Sequence, residues 1–466
     1  MSSSTGHRQE QACIAVIDIG KTHARLSVID SVSGTEVRSV KRVNQSIVTP
    51  LGRQLDVVGI ETWLIEALQG LPERQQICAL VPIAHGAAAV LLDADGAVLA
   101  APDYEDPQFS AVDADYASER DAFSATYSPQ LPLGLNLARQ WFYLERRHPG
   151  MFARVAHILL FPQYWAWRFS GVMASEMTSL GCHTDLWRPE EKTFSALANA
   201  HDWVRLLPDI HAAGDSLGSI EPSVAHTAGL PKDCRVVCGI HDSNASYLEH
   251  LVDRPRGDAF TVVSSGTWTV VMASGADLQR LRPGRDMLAN VDAFGAPLCT
   301  ARFMGGREYD AIAGSSEEPQ LAALESILQR HVMAVPSFAR GGPFASSPGR
   351  LHHAGAVSSA ERVALATLYC ALMSELLLDY LGARGDIIVD GPLATNALYG
   401  PLLAALRPET TVLLEFPRAD AARAVCHLAD VAVPLGQPLT RTSPLRLAGL
   451  DRYRAAWRDL LPRESA

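Results

Sequence analysis

Two short polar turns carry groups that can do chemistry. In CIAVIDIGKTHARLSVID, residues 13–30, an apolar run stops at Asp18, Gly20, Lys21 and Thr22 follow, and a second apolar run closes at Asp30. The layout returns in AFTVVSSGTWTVVMAS, 259–274, around Ser265, Gly266 and Thr267. Glycine and small hydroxyl residues leave N–H groups and hydroxyls open to an anion, so both turns suit phosphate oxygens. Lys21 adds a movable positive charge. Asp18 would repel phosphate, but it can hold Mg2+ through water, and an acid beside an anion site makes sense with a metal between them. Either turn alone reads as an ordinary hairpin, and IGKTHA lacks the full GxxxxGK run. Their pairing, one per half of the chain, suits a nucleotide clamped in a cleft.

Asp242 is the third candidate. It follows a buried strand in CGIHDSNAS and precedes a small-residue helix start. An acid there is a helix cap or a catalytic group. As a catalytic group it accepts the proton of a sugar hydroxyl while that oxygen attacks the γ-phosphoryl group of ATP. Position and electrostatics carry such a transfer, and fixed amides, Mg2+ and Lys21 would supply them.

Certain elements must position these groups. Strands are predicted at 13–18, 25–30, 37–45, 77–83, 87–93 and 234–240, with a helix at 59–70 where Ile60, Trp63, Leu64 and Leu68 recur near helical spacing. The stretch 128–170 reads as mostly helical, stopping at Gly171. In the second half a hairpin at 259–274 precedes helices at 316–332 and 358–381, a strand at 386–391 and a helix at 396–407. One layout thus occurs twice, with a division expected near 239: a first domain over 12–239 and a second over 240–456 that carries Asp242.

Composition narrows the function. The chain has 466 residues, enough for two domains, and 20% charged residues. A net charge of −11 without a basic stripe argues against nucleic acid. The polar start MSSSTGHRQEQ has no apolar signal segment, and no uninterrupted apolar run reaches membrane-spanning length, so a cytoplasmic protein without membrane partners is expected. The eight cysteines do not resemble a disulfide framework; Cys234 and Cys238 have metal-compatible spacing without a second pair and read as buried free thiols.

Taken together, these features resemble the FGGY family of carbohydrate kinases, within the actin, hexokinase and Hsp70 superfamily. The resemblance runs from Cys13 to about Thr440. DIGKT, 18–22, is similar to the first phosphate motif, HDSNAS, 241–246, to the block with the catalytic base, SSGTW, 264–268, to the second phosphate motif, and DGPLATN, 390–396, to the adenosine-side motif. It implies an α/β fold of two similar ribonuclease H-like domains, of the actin-type ATPase kind, flanking a central cleft that closes on substrate. It also implies ATP and Mg2+, with Asp242 as base, Asp18 and Asp242 toward the metal, and Gly20, Lys21, Thr22, Ser265, Gly266, Thr267, Gly391 and Asn396 toward the nucleotide. Lys21 departs from the threonine or serine of many members. Asp390 replaces a common glycine and would meet the ribose or cap a helix.

On the sugar side, IAHGAAAVLLDADG, 83–96, resembles the rhamnulose kinase branch, where Asp-Thr-Trp-Gly is usual. Here Ile83, Ala84, His85 and Gly86 stand instead, and the missing acid argues against rhamnulose itself. His85 would bond a hydroxyl, or pack as a neutral core histidine; Gly86 would let the sugar approach. His241, Asp103 and Gln130 are further substrate candidates, with Tyr104 and Glu105 beside Asp103. Tyr164, Trp165 and Trp167 read as core. RFMGGR, 302–307, reads as a glycine turn with two arginines at the cleft or as a surface loop. The activity implied is phosphorylation of a free ketose (rhamnulose, fuculose or xylulose-like) or polyol, with room for a homodimer. The alternatives are an Hsp70- or actin-like conformational ATPase and a catalytically inactive sugar sensor.

Overall fold

The computed structural model describes residues 12–252, 254–353, 355–415, 421–431 and 439–462. They divide into two compact units. The first holds the described residues up to Arg254, with Asn290–Ala296 and 421–431; the second holds the rest. The expected cut at 239 therefore falls inside the first unit. Ile240–His241 still pairs with that unit's sheet, so the helix starting at Asp242 belongs to the first unit and not, as expected, to the second.

In the first unit, β1 (Cys13–Ile19), β2 (His23–Asp30) and β3 (Glu36–Val43) form an antiparallel meander. On the other side of β1, β4 (Ile77–Ala84) runs parallel to it. β7 (Arg235–Val237) and β8 (Ile240–His241) run parallel to β4, while β5 (Ala89–Leu92) and β6 (His157–Leu160) pair antiparallel in a separate small sheet. Apart from Asp18, β1 is apolar because helices cover both faces of the sheet. Cys13, Ala15, Ile17 and Ile19 pack with Val57, Ile60, Leu64 and Leu68 of α1 (Val57–Gln69). Ile14 and Val16 pack with Ala245 and Leu248 of α5 (Asp242–Val252). Each fully buried Ile or Leu contributes about 1.5–3 kcal/mol. Side chains alternate along a strand, so Asp18 shares the face of Ile14 and Val16 and emerges on the side of α5.

The expected helical stretch 128–170 is interrupted. Between α2 (Leu137–Arg147) and α3 (Phe161–Ser170), the apolar HILL forms β6 against β5. Four consecutive apolar residues fit a buried strand as well as a helix, and pairing decides. α3 ends at Gly171 in the left-handed conformation that favours glycine, and its Tyr164 and Trp165 are core residues, as expected. The short α4 (Met177–Leu180) follows.

The second unit repeats the topology. β9 (Phe260–Ser265) lies between antiparallel β10 (Thr269–Ser274) and parallel β12 (Asp386–Asp390); β11 (Pro297–Phe303) extends one side and β13 (Val412–Leu414) the other. Strand for strand this is β3–β2–β1–β4–β7 again. α6 (Gly305–Ala313), α7 (Leu321–Arg330), α8 (Ser359–Leu381) and α9 (Tyr399–Leu406) complete the elements used below. A capping box, with Ser358 and Glu361 each bonding the other's backbone N–H, starts α8. By length and composition alone α8 is apolar enough to cross a membrane, although Ser374 and Glu375 interrupt its apolar run; here it is largely buried in the second unit's core. The eight cysteines are free. Burial pushes the Cys234 thiol up to about 12, and no cluster suited to a metal includes it among the described residues.

Candidate active site

Three neighbouring strand ends build the first unit's site. Asp18 of β1 is in register with Ile83 of β4, and Ile83 with Ile240 of β8. Strands lie about 4.8 Å apart, so the ends of β1 and β8 are separated by roughly 10 Å with β4 between them. Asp18, Gly20, Thr22, His23, Arg25, Lys41, Ile83, Asp242 and Ser246 line one cavity of about 410 Å³. Asp18, Arg25 and Lys41 stand in one row across β1, β2 and β3, which brings two cations to the same face. Asn44 holds the turn's shape: its N–H bonds the Thr22 carbonyl at 2.8 Å and its side-chain amide bonds the Gly20 carbonyl at 2.8 Å.

Asp242 is the first residue of α5, and its side chain is 41% exposed. Its Oδ1 accepts the Ser243 N–H at 2.6 Å and lies 3.3 Å from His241 Nε2. The carboxylate thus bonds an N–H in the first turn of its own helix and still lines the cavity. His241 is held from several sides. Its backbone N–H donates to Thr178 Oγ1 at 3.1 Å, and Thr178 donates to Glu176, the buried N-cap of α4. Asn244 donates to the Val291 carbonyl, which turns its Oδ1 toward His241 Nδ1 at 3.0 Å. Burial alone would keep His241 neutral, but Cys182 and Asp242 outweigh it and push its pKa up. Burial likewise opposes the Cys182 thiolate, yet His183 and His241 pull that thiol down.

Gly86 touches this cluster. A Cβ there would lie 2.5 Å from His241 Nε2. The imidazole by itself requires glycine at this position. His85 is buried, with Nδ1 2.9 Å from the Gly86 carbonyl oxygen and its ring edge-on to Phe161 and Tyr104. Burial lowers its pKa and favours the neutral ring. Through Gly86, which His85 bonds and His241 abuts, the His85–Tyr104 pair adjoins the histidine beside Asp242.

Lys21, expected toward the nucleotide, is paired with carboxylates in this structure. Its ammonium lies 2.8 Å from Asp103 Oδ1 and 3.4 Å from Glu105 Oε2. The cavity that holds Asp18 and Asp242 is lined by Gly20 and Thr22, while Lys21 lines a separate niche with Ser46 and His85. Asp103 is wholly buried; burial would raise its pKa, but bonds from Lys21, Ser46 and the Glu105 N–H outweigh that and lower it. Gln130 is exposed, and the cavity lined by Asp242 is formed by other residues.

In the second unit a cavity of about 1000 Å³ is lined by Ser265, Gly266, Thr267, Gly306, Arg307, Tyr309, Leu393 and Asn396, among others. Ser265 Oγ accepts the Leu393 N–H at 2.9 Å and donates to the Asp390 carbonyl, tying the turn after β9 to the loop after β12. Gly391 has φ +78° and leaves no room for a Cβ, which would lie 2.0 Å from the Ser265 carbonyl oxygen. Asn396 Oδ1 accepts the Leu398 and Tyr399 N–H groups and starts α9. Asp390 is buried beside Ser264, with Oδ2 3.3 Å from the hydroxyl, and does not line this cavity. The RFMGGR segment ends in α6, not in a loop. Gly306 sits where a Cβ would meet the Gly266 carbonyl oxygen at 2.4 Å, so the helix N-terminus closes on the second phosphate turn. Arg307 lines the cavity, whereas Arg302 pairs with Asp286 at 2.9 Å over the Trp268 ring.

Residues 257–436 match the family described as carbohydrate kinase FGGY, C-terminal domain. The chain is also 34% identical to a carbohydrate kinase from Novosphingobium aromaticivorans, with a TM-score of 0.89 over 96% of this chain and 99% of that one. The chain belongs to the FGGY family of carbohydrate kinases. A ligand-bound xylulose kinase from Lactobacillus acidophilus, 15% identical with TM-score 0.76, shares the fold, as does Plasmodium falciparum glycerol kinase with ADP, 11% identical with TM-score 0.74; each match covers 96% of both chains. As an FGGY kinase the protein is an ATP-dependent phosphotransferase of the sugar-kinase class. Sequence reasoning missed Arg25, Lys41, Asn44 and Cys182 in its site. Strand register carries a signal for Arg25, opposite Asp18; Cys182 has none, because only the fold brings it to His241.

Proposed function

We propose that this FGGY kinase transfers the γ-phosphoryl group of ATP to a hydroxyl of a free ketose or polyol, with Asp242 as the general base. The observation that carries this is the Asp242 carboxylate, half-exposed on the cavity that Asp18 and the Gly20–Thr22 turn also line. His241 and the Ser243 N–H orient Asp242 so that an oxygen lone pair can take the hydroxyl proton as the sugar oxygen becomes nucleophilic. His85 and Tyr104, near that carboxylate, would bond the neighbouring hydroxyls. Ile83 presents an apolar wall to the cavity where the rhamnulose branch has an acid.

The second unit's cavity has the volume for a nucleotide, and the Gly306–Gly266 approach makes an amide-lined cradle there. Arg25 and Lys41 would attract phosphate oxygens at the first turn. Asp18 and Asp242 form a hard-oxygen donor set of the kind Mg2+ requires, and that ion, when bound, would draw charge from the phosphoryl oxygens. The eight free thiols suit the reducing cytoplasm, the compartment we propose. A coupled ADP-release screen over pentuloses, hexuloses, deoxyketoses and polyols tests the reading. Sugar-dependent release supports it; release that no sugar stimulates favours a conformational ATPase, and sugar binding without release an inactive sensor.

A further inference from the structure

Lys21 belongs by position to the first phosphate turn and by contact to another place. Its ammonium touches the wholly buried Asp103 at 2.8 Å and Glu105 at 3.4 Å, reaches Ser46 Oγ at 3.5 Å, and lies 5.4 Å from the centre of the Tyr104 ring. Tyr104 meets His85 edge-on at 5.9 Å, His85 Nδ1 lies 2.9 Å from the Gly86 carbonyl oxygen, and Gly86 packs against the His241 ring that stands 3.3 Å from Asp242. Lys21 therefore stands on the same side as the groups around the reacting hydroxyl. The first turn's phosphate-facing cavity has its cations elsewhere, in Arg25 and Lys41.

Arg53 completes the group, 3.3 Å from Asp103 and 3.9 Å from Glu105. Two cations and two carboxylates sum to zero charge. Such a group offers donors and acceptors side by side, which matches the donor–acceptor character of sugar hydroxyls. A carboxylate ligand would face Asp103 and Glu105 without a surplus cation, and like charges repel. Asp103 spends its oxygens on Lys21, Ser46 and the Glu105 N–H, so it fixes Lys21 in place, while the longer ammonium contacts to Glu105 and Ser46, at 3.4 and 3.5 Å, are the ones a ligand hydroxyl would replace.

We propose that Lys21 is a sugar-specificity residue, held by Asp103 and flanked by Glu105, that donates to a hydroxyl of a neutral substrate and does not contact the phosphates of ATP. This rests on the kinase reading above, and the test separates the two. Lys21→Met and Glu105→Gln are compared with the wild type. KM for the best neutral sugar and for ATP is measured by ADP release, and affinity for ADP is measured by calorimetry, which needs no turnover. Glu105 is half-exposed, so the Glu105→Gln variant reports on the same group even if loss of the Lys21–Asp103 pair harms folding. In Lys21→Met, the sugar KM is expected to rise about tenfold or more, as loss of a charge-assisted hydrogen bond implies, with ADP affinity and the ATP KM within about twofold. Glu105→Gln, which leaves a net positive group, is expected to narrow the wild type's preference for neutral sugars over aldonates. A fall in ADP affinity in Lys21→Met, an unchanged sugar KM there, or a wild type that prefers aldonates would each overturn the proposal. Failure of the kinase reading is a different result: no sugar in the panel stimulates ADP release by the wild type, and the ADP affinity of Lys21→Met still decides whether Lys21 serves the nucleotide.

Discussion

His241 Nε2 stands 3.3 Å from Asp242 Oδ1, and Gly86 leaves no space for a methyl group beside that nitrogen. The imidazole is thus a spacer between the end of β4 and the carboxylate proposed as base. A Gly86→Ala variant must push the ring toward Asp242 or Cys182. Misplacing a reacting group by about 1 Å can cost about 10²-fold. Steady-state assays should show sugar-dependent turnover reduced by about that factor, with nucleotide affinity unchanged; unaltered kcat would show that the ring relaxes without moving Asp242.

The second unit has its own close approach. Gly306→Ala would place a Cβ 2.4 Å from the Gly266 carbonyl oxygen, which is backbone and cannot swing away. Separation of α6 from the phosphate turn follows. Calorimetry is expected to show ADP affinity lowered about tenfold, equivalent to one hydrogen bond of roughly 1.4 kcal/mol, with sugar binding retained.

Glu176 links stability to pH. Burial pushes its carboxyl from 4.5 up to about 7, against the bonds it accepts from Thr178 and Ser179. A raised folded-state pKa means that the folded chain holds the proton more tightly than the unfolded chain. This contribution is fully present below pH 4.5 and is lost as pH rises through about 7. Urea unfolding at about pH 5 and pH 8 should show the wild type losing up to about 3 kcal/mol more than Glu176→Gln. Parallel pH dependences in the two proteins would show that Glu176 does not carry the effect.

Asp103 has the opposite sign. Its folded-state pKa lies below the ordinary 3.8, so its contribution is present at neutral pH and is lost as pH falls through the folded value. In acid unfolding below about pH 4, the wild type is expected to lose stability more steeply than Asp103→Asn. Equal slopes would mean that Lys21 and Ser46 do not stabilise the carboxylate in solution.

Much of this site was readable from residue order. Asp18 and Asp242 were each expected at the end of a short apolar strand, and the structure puts both there. The doubled hairpin layout anticipated the doubled sheet. The ion pairs of Lys21 were not readable because its partners Asp103 and Glu105 lie in a loop far along the chain, and turn chemistry says nothing about where a flexible side chain goes. The Gly305–Gly306 pair was visible, but its need for glycine depends on Gly266 lying against it. Cys182 and HILL show the same limit: distant packing and strand pairing decide both. The boundary near 239 failed because β8 and α5 are joined to the first unit by pairing and packing, which composition does not mark.

The most direct test of the account is sugar-dependent ADP release by Asp242→Asn. Asparagine keeps the shape and the polar oxygen but cannot accept the hydroxyl proton as a carboxylate does. Turnover is expected to fall by about 10²–10⁴-fold, with sugar and nucleotide affinities close to wild type. Turnover within a few-fold of wild type would contradict the assignment of Asp242 as the base.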